Sequence, residues 1–175
     1  PGGAPGDKTP NFVTCPWPDE FTAAHEYQWN EVIIPFWKKE NDFAKKHKVK
    51  IAFEAHPGMV LHTPEDIVRL RKAAGKQLGA NLDPSHFFWQ GIDPVEAAHF
   101  LGENKCIYHV HAKDCAIHAW NAGTVGNLDP KSYGDVAKRG WVFRTCGYGH
   151  GDDFWKPFVS MLRLYDYDGV ISIEH

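Results

Sequence analysis

The sequence predicts an α/β protein built on a parallel sheet, and three observations carry that expectation. Strand-like and helix-like segments alternate at roughly thirty-residue intervals, the spacing of βαβ units. Each strand-like segment has one apolar face and one face ending in a polar, chemically able side chain. The chain has 175 residues, 43% hydrophobic, 14% aromatic and 23% charged, enough for one domain with a substantial core.

Residues 1–18 hold Pro1, Gly2, Gly3, Pro5, Gly6, Pro10, Pro16 and Pro18 and read as a loop. A helix is expected over residues 19–47, capped by Asp19 after Pro18. Trp29, Val32, Ile33, Phe36, Trp37 and Phe43 recur there at helical spacing, while Lys38, Lys39, Lys45 and Lys46 face water. Pro35 falls inside and is expected to bend or divide the helix, because its nitrogen has no proton to donate. Residues 49–55 read as a strand. Thr63-Pro64-Glu65-Asp66 opens a helix to about Ala74, with Thr63 as cap and Pro64 as first helical residue. Residues 79–83 form a short strand, and Asp93-Pro94-Val95-Glu96 opens a helix ending near Gly102. Residues 106–112 form a strand. Residues 114–140, punctuated by Gly123, Gly126, Pro130 and Gly134, read as a long irregular segment. Residues 141–145 read as a short strand or extended insert, 154–164 as a helix and 170–174 as the last of four principal strands.

Composition excludes several classes. No apolar run approaches the roughly 18 residues a membrane span needs, and no charged-then-apolar signal opens the chain. The formal charge of -3 does not imply a polyanion-binding surface, a local basic patch staying open, and neither nucleic acid nor membrane is an expected partner. Cys15, Cys106, Cys115 and Cys146 form no C-x-x-C pair and read as free thiols in a reducing, cytoplasmic compartment. No glycine-rich nucleotide fingerprint is present.

The strand ends are the informative feature. Glu54 shares a face with Ala52, Asp83 with Asn81, His111 with His109, and Glu174 with Ser172. Parallel strands put their carboxyl ends on one rim, and in a (β/α)8 barrel that rim carries the chemistry. Carboxylates aimed at one point repel unless a cation compensates. One imidazole with several carboxylates is a ligand set for Mn²⁺, Mg²⁺, Co²⁺ or Zn²⁺.

The segments VKIAFEAHP, ANLDPSH, YHVHAKD, GYGHGDDFW and GVISIEH resemble, in order and spacing, the sugar phosphate isomerase/epimerase superfamily of xylose isomerase-like TIM barrels, to which AP-endonuclease-type metal barrels also belong. The resemblance runs from about Val49 to His175, and residues 1–48 fit the preceding loop and helix. It implies a (β/α)8 barrel of which this chain, residues 1–175, holds four β/α units, the carboxy-terminal half. A half barrel exposes sheet edges, so a missing amino-terminal half or a homo-oligomer is expected. The resemblance further implies Glu54, Asp83, His111 and Glu174 as ligands of one divalent metal. His111 is preferred to His109 because it lies three residues before Asp114.

Glu54 and Glu174 would act as base and acid on a sugar or sugar phosphate, in a metal-dependent isomerase or epimerase working through an enediolate or a hydride shift. His86, His56, His109, Lys113 and Asp114 are the expected substrate-side residues, a buried structural role being the other reading of His109. Phe87, Phe88, Trp89 and Trp120 either stack on a sugar or pack loops. His150, Asp152 and Asp153 read as a tight turn whose acids cap the next helix. His25, His47 and His99 read as helix-surface residues, His118 as part of the insert, and Arg139 and Arg144 as surface charge or an anion contact. The rival readings are an AP-endonuclease-like phosphodiesterase, which would want more His and Asp ligands, and a non-catalytic barrel remnant.

Overall fold

The computed structural model describes Gly6 and residues 14–174. Most of the amino-terminal loop expectation therefore lies outside the described residues. The chain divides into two compact units, residues 1–81 with 106–108, and residues 82–105 with 109–175.

The first unit opens with helix α1, Asp19–Tyr27. Pro18 holds the cap position and no side chain caps the turn. Asp19, expected as the cap, is instead the first helical residue, where its charge meets the positive end of the helix dipole. A π-helical turn, Gln28–Ile33, leads into α2, Ile34–Lys46. Pro35 stands at the start of α2. The stretch stays helical throughout, undivided, and the wider turn before Pro35 relieves the clash its ring would make with an α-helical carbonyl.

Strand β1, Ile51–Glu54, follows, then helix α3, Pro64–Ala74. Thr63 and Asp66 form the expected reciprocal cap: the Thr63 hydroxyl accepts the Asp66 N–H at 3.1 Å, and Asp66 Oδ2 accepts the Thr63 N–H at 3.0 Å. Strand β2, Leu78–Leu82, pairs parallel with β1, with Ile51 opposite Leu78 and Glu54 opposite Asn81. Trp29, Ile33, Val60, Leu70, Ala74 and Leu78 form this unit's buried core, with Trp37 and Phe53 packed against it.

The second unit holds α4, Ser85–Phe88, and α5, Pro94–Glu103, which Asp93 caps through the N–H groups of Val95 and Glu96. Strand β3 spans Ile107–Ala112. The segment expected to be irregular is so at residues 126–135 but also holds strand β4, Asp114–Ile117, helix α6, Ala119–Val125, and a 3₁₀ turn at Val136–Lys138; strand β5, Trp141–Arg144, follows where a short strand or extended insert is expected. β4 and β5 pair antiparallel as a separate two-stranded sheet. Trp89 stacks on Trp141 with centroids 4.4 Å apart, over buried Cys115, which gives the pair its own core.

Arg139 departs from a surface role. It is 2% exposed, lies 4.6 Å from the ring centroids of both Tyr133 and Trp141, and donates to the carbonyls of Trp141 and Lys131. Helix α7, Asp152–Leu164, packs on α5 and is capped by Gly151. Asp152 and Asp153, expected as caps, lie inside its first turn. Strand β6, Ile171–Ile173, pairs parallel with β3, His111 lying opposite Ser172. The parallel sheet runs in the order β1-β2-β3-β6, four strands of a partial barrel. Its β6 is apolar yet open: Ile171 and Ile173 are 38% and 69% exposed.

Among the described residues no cysteine forms a disulfide. Burial pushes the Cys106 thiol up to about 11 and the Cys115 thiol up to about 12, so both stay protonated and act as small apolar groups. Among the described residues no helix is long and apolar enough to cross a membrane.

Candidate metal centre

Three strand-end side chains of the second unit converge. Asp83 follows β2, and its buried Oδ1 accepts the Ser85 N–H at 2.9 Å, which fixes the carboxylate's rotation. His111 is the fifth residue of β3. The parallel register puts Ser172 beside it, and the Glu174 N–H donates to the Ala112 carbonyl at 3.2 Å, so Glu174 leaves β6 on the His111 face. His111 Nδ1 then stands 3.6 Å from Asp83 Oδ2 and 3.6 Å from Glu174 Oε2. One ligand atom of each residue lies within 4.8 Å of the others.

These separations are long for hydrogen bonds. They are near the roughly 3–3.5 Å between neighbouring ligands on an ion bound at about 2.1 Å. Two carboxylates and an imidazole are also a chemically suitable donor set for a divalent first-row metal. The residues present therefore fit such an ion.

The surroundings orient this trio. Lys113 Nζ donates to Glu174 Oε2 at 2.8 Å while lying 4.6 Å from the centroid of the Phe143 ring. His86 is 2% exposed, with Nε2 3.6 Å from Asp83 Oδ2 and its ring edge-on to Phe143 at 5.5 Å. His109 pairs its Nε2 with Ser172 Oγ at 2.9 Å and sets its ring perpendicular to His111. Phe143 and Ser172 are participants that reasoning from sequence missed. The alternation that selected Glu174 also points to Ser172, whereas nothing in the sequence ties Phe143 to this site.

In the first unit Glu54 ends β1, and Asn81 Nδ2 donates to its Oε2 at 3.3 Å. His56, two residues on, turns Nδ1 to the Pro57 carbonyl at 2.5 Å and gives its backbone N–H to Leu61.

Asp114 stands apart from the trio. Its Oδ2 accepts the N–H groups of Gly147, Gly149 and His150, and its Oδ1 accepts the Cys115 N–H and faces His150 Nδ1 at 2.8 Å. Burial pushes this carboxyl up, but the hydrogen bonds from His150, Gly149 and Cys115 outweigh it and hold the group below its ordinary value. The residue expected on the substrate side thus anchors a loop. His150 in turn stacks on Phe88 at 3.7 Å.

His118, the cap residue of α6, is buried with Nδ1 against the Arg139 carbonyl. Trp120 stacks on it and is 69% exposed, whereas Phe87 and Trp89 are buried in loop packing.

Side chains able to hold a metal thus stand at the ends of parallel strands in a partial α/β barrel. The chain belongs to the xylose isomerase-like TIM barrel family, whose sequence profile matches residues 11–175. It is 40% identical over 177 residues to the uncharacterized protein YfiH of Bacillus subtilis (strain 168), across 99% of this chain and 56% of that one. It is 26% identical over 171 residues to the inosose dehydratase of Geobacillus thermodenitrificans (strain NG80-2), across 97% of this chain and 54% of that one. In three dimensions it resembles the probable 3-DHS dehydratase AsbF from Bacillus anthracis, with TM-score 0.60 and 20% identity, over 91% of this chain and 52% of that one. The chain spans about half the length of the curated relatives it matches.

Proposed function

We propose that this chain carries the metal centre of a divalent-metal-dependent enzyme acting on a sugar or sugar phosphate. The reaction moves hydrogen at the carbon beside the substrate carbonyl, as a proton through an enediolate or as a hydride shift. The observation that supports this reading most directly is the convergence of Asp83, His111 and Glu174. Glu54 is the fourth ligand in this proposal, on the family resemblance and its matching place at the end of β1. Mn²⁺, Mg²⁺, Co²⁺ and Zn²⁺ all suit the set; when bound, the ion supplies Lewis-acid polarisation of the carbonyl and the adjacent hydroxyl.

The side chains divide the remaining work. Asp83, held by the Ser85 N–H, fixes one ligand direction. Glu174 is partly exposed and has its Oε2 pinned by Lys113, which leaves Oε1 to take a proton from the substrate carbon or return it. Glu54 serves the opposite side of the bound sugar. His86 and Phe143 close the wall and exclude water, while His109 keeps His111 in orientation. Asp114 serves this site indirectly, by fixing the loop at residues 147–150.

Return of the proton to carbon gives isomerisation or epimerisation. A second outcome is supported by the similarity to inosose dehydratase: the same proton loss followed by departure of a hydroxyl on the next carbon. The test is incubation of the Mn²⁺-loaded chain with ketoses, sugar phosphates and inososes in D₂O, followed by NMR. Deuterium beside the carbonyl with the carbon skeleton and hydroxyls intact supports the isomerase or epimerase, loss of water supports the dehydratase, and product without deuterium marks a hydride shift. The Glu174→Gln variant is expected to lose turnover and keep its fold. Neither exchange nor product from the metal-loaded protein, or full activity in that variant, overturns the proposal.

A further inference from the structure

We infer that Arg144 binds an oxyanion, a phosphate or carboxylate, at the end of the substrate remote from its carbonyl. The inference deepens the proposed function and rests on it for the position of that carbonyl. Arg144 is the last residue of β5 and half-buried. Among the described residues its guanidinium makes no ion pair and no hydrogen bond. A partly desolvated guanidinium carries five donors in a rigid fork, so a site that leaves it alone leaves strong binding capacity in place.

The ordinary partner is close at hand and already committed. Asp114 lies directly across the β4–β5 ladder from Arg144, and opposed residues of an antiparallel pair project from the same face. Both Asp114 oxygens are taken by the loop at residues 147–150 and by Cys115. The fold thus spends the nearby carboxylate on architecture and keeps the cation. Lys113 differs, because Glu174 already neutralises it.

Arg144 also borders a space open to solvent that can hold a ligand. Phe143, Arg144, Thr145 and Tyr148 line a cavity of about 310 Å³, at the lower end of the roughly 300–1,000 Å³ found for small-molecule sites. Its far side is a fixed turn. The Tyr148 N–H donates to the Thr145 carbonyl at 2.9 Å, Gly147 supplies the positive φ of 88° at the third position, and Asp114 clamps the residues that follow. The hydroxyls of Thr145 and Tyr148 add neutral donors on that side.

Phe143 lines this cavity and its ring contacts Lys113 and His86 beside the metal centre, whereas Arg144, the next residue of β5, leaves the opposite face of the strand. A substrate with its carbonyl beside Glu174 reaches Arg144 by passing round the carboxyl end of β5, where Phe143 and Arg144 line one cavity. A phosphate or carboxylate matches the guanidinium fork with two parallel hydrogen bonds; a neutral hydroxyl does not.

The test compares D-fructose, D-fructose 6-phosphate and D-galacturonate by calorimetry on the Mn²⁺-loaded chain, its Arg144→Gln variant and its Arg144→Lys variant. The wild type is expected to bind one anionic sugar at least about tenfold more tightly than fructose. That ratio should collapse in Arg144→Gln and persist in part in Arg144→Lys, with Mn²⁺ affinity unchanged in all three. Preference for the phosphorylated or the carboxylated sugar identifies the anion. Equal binding of charged and neutral sugars, or a ratio that survives Arg144→Gln, overturns the inference.

A second readout needs no metal and no variant fold. Inorganic phosphate or acetate is titrated into ¹⁵N-labelled wild type, and the Arg144 Nε–H resonance is followed against that of exposed Arg163. A saturable shift confined to Arg144 supports the anion site even if Mn²⁺ fails to bind, in which case only the metal reading falls. Equal or absent shifts overturn the anion site while leaving the metal reading to its own test.

Discussion

Asp83 and Asp114 are both buried aspartates at strand ends in the same unit, and their oxygens are treated in opposite ways. Asp83 Oδ1 takes one backbone N–H, while Oδ2 faces His86 Nε2 and His111 Nδ1, each at 3.6 Å. Asp114 Oδ2 alone takes three backbone N–H groups, and Oδ1 takes another along with the His150 ring. A buried carboxylate saturated by N–H groups is a structural anion, its charge dispersed over donors that the fold must satisfy anyway. A buried carboxylate whose oxygen faces two ring nitrogens at 3.6 Å suits the metal-ligand role proposed for Asp83. Both acids sit in metal-like motifs in the sequence; the geometry at each oxygen separates their roles.

The sharpest way to break this contrast is to remove each charge in turn. Asp83→Asn should weaken Mn²⁺ binding at least about 100-fold, since even the outer partners of a metal ligand are worth roughly 10–100-fold. Its melting temperature should hold or rise slightly, because a buried charge has gone. Calorimetric titration with Mn²⁺ and a thermal melt on the same sample check both halves. A large loss of stability with metal affinity intact would reverse the assignment.

Asp114→Ala should do the opposite. Each buried N–H left without an acceptor costs about 1–3 kcal/mol, so urea denaturation should show a loss of about 3 kcal/mol or more. The same residue sets the acid limb of stability. Its folded value lies below the ordinary one, so its contribution is complete above about pH 4 and is lost as pH falls through the lowered value. Stability measured between pH 6 and pH 3 should fall more steeply in the wild type than in Asp114→Asn. Parallel curves would show that this carboxyl does not anchor the loop electrostatically.

Much of the fold was legible because its signals are local. The Thr63 and Asp93 caps, the prolines that follow them and the alternation of β1, β2, β3 and β6 lie within a few residues of one another. The side-chain parity that selected Asp83, His111 and Glu174 is local too, since it needs only the two-residue period of each strand. The failures are non-local. The β4–β5 pair brings Asp114 to Arg144 across a segment whose glycines and proline read as loop. Arg139 looked like surface charge because Tyr133 and Trp141, which flank its guanidinium, meet only after that pairing forms. The loop-anchoring contacts of Asp114 are invisible in the sequence because its partners at residues 147–150 lie more than thirty positions away.

Gly147 and Gly149 sharpen the contrast at the smallest scale. A Cβ on Gly149 would sit 2.5 Å from the Cys115 carbonyl oxygen and 2.6 Å from Asp114 Oδ1, so the anchor itself would have to move. Gly149→Ala should therefore cost about 1–3 kcal/mol, the usual range for overpacking, and should flatten the acid limb along with it. A Cβ on Gly147 meets nothing within 4 Å, and only its φ of +88° resists substitution. Gly147→Ala should cost about 1–2 kcal/mol from backbone strain alone and leave the acid limb unchanged, because the N–H it gives to Asp114 survives the substitution. Urea titrations of both variants at pH 7 and pH 4 check the pair. Equal costs with equal acid limbs would mean that the loop tolerates displacement from Asp114, and that the carboxylate is less tightly bound to its architectural role than its five contacts require.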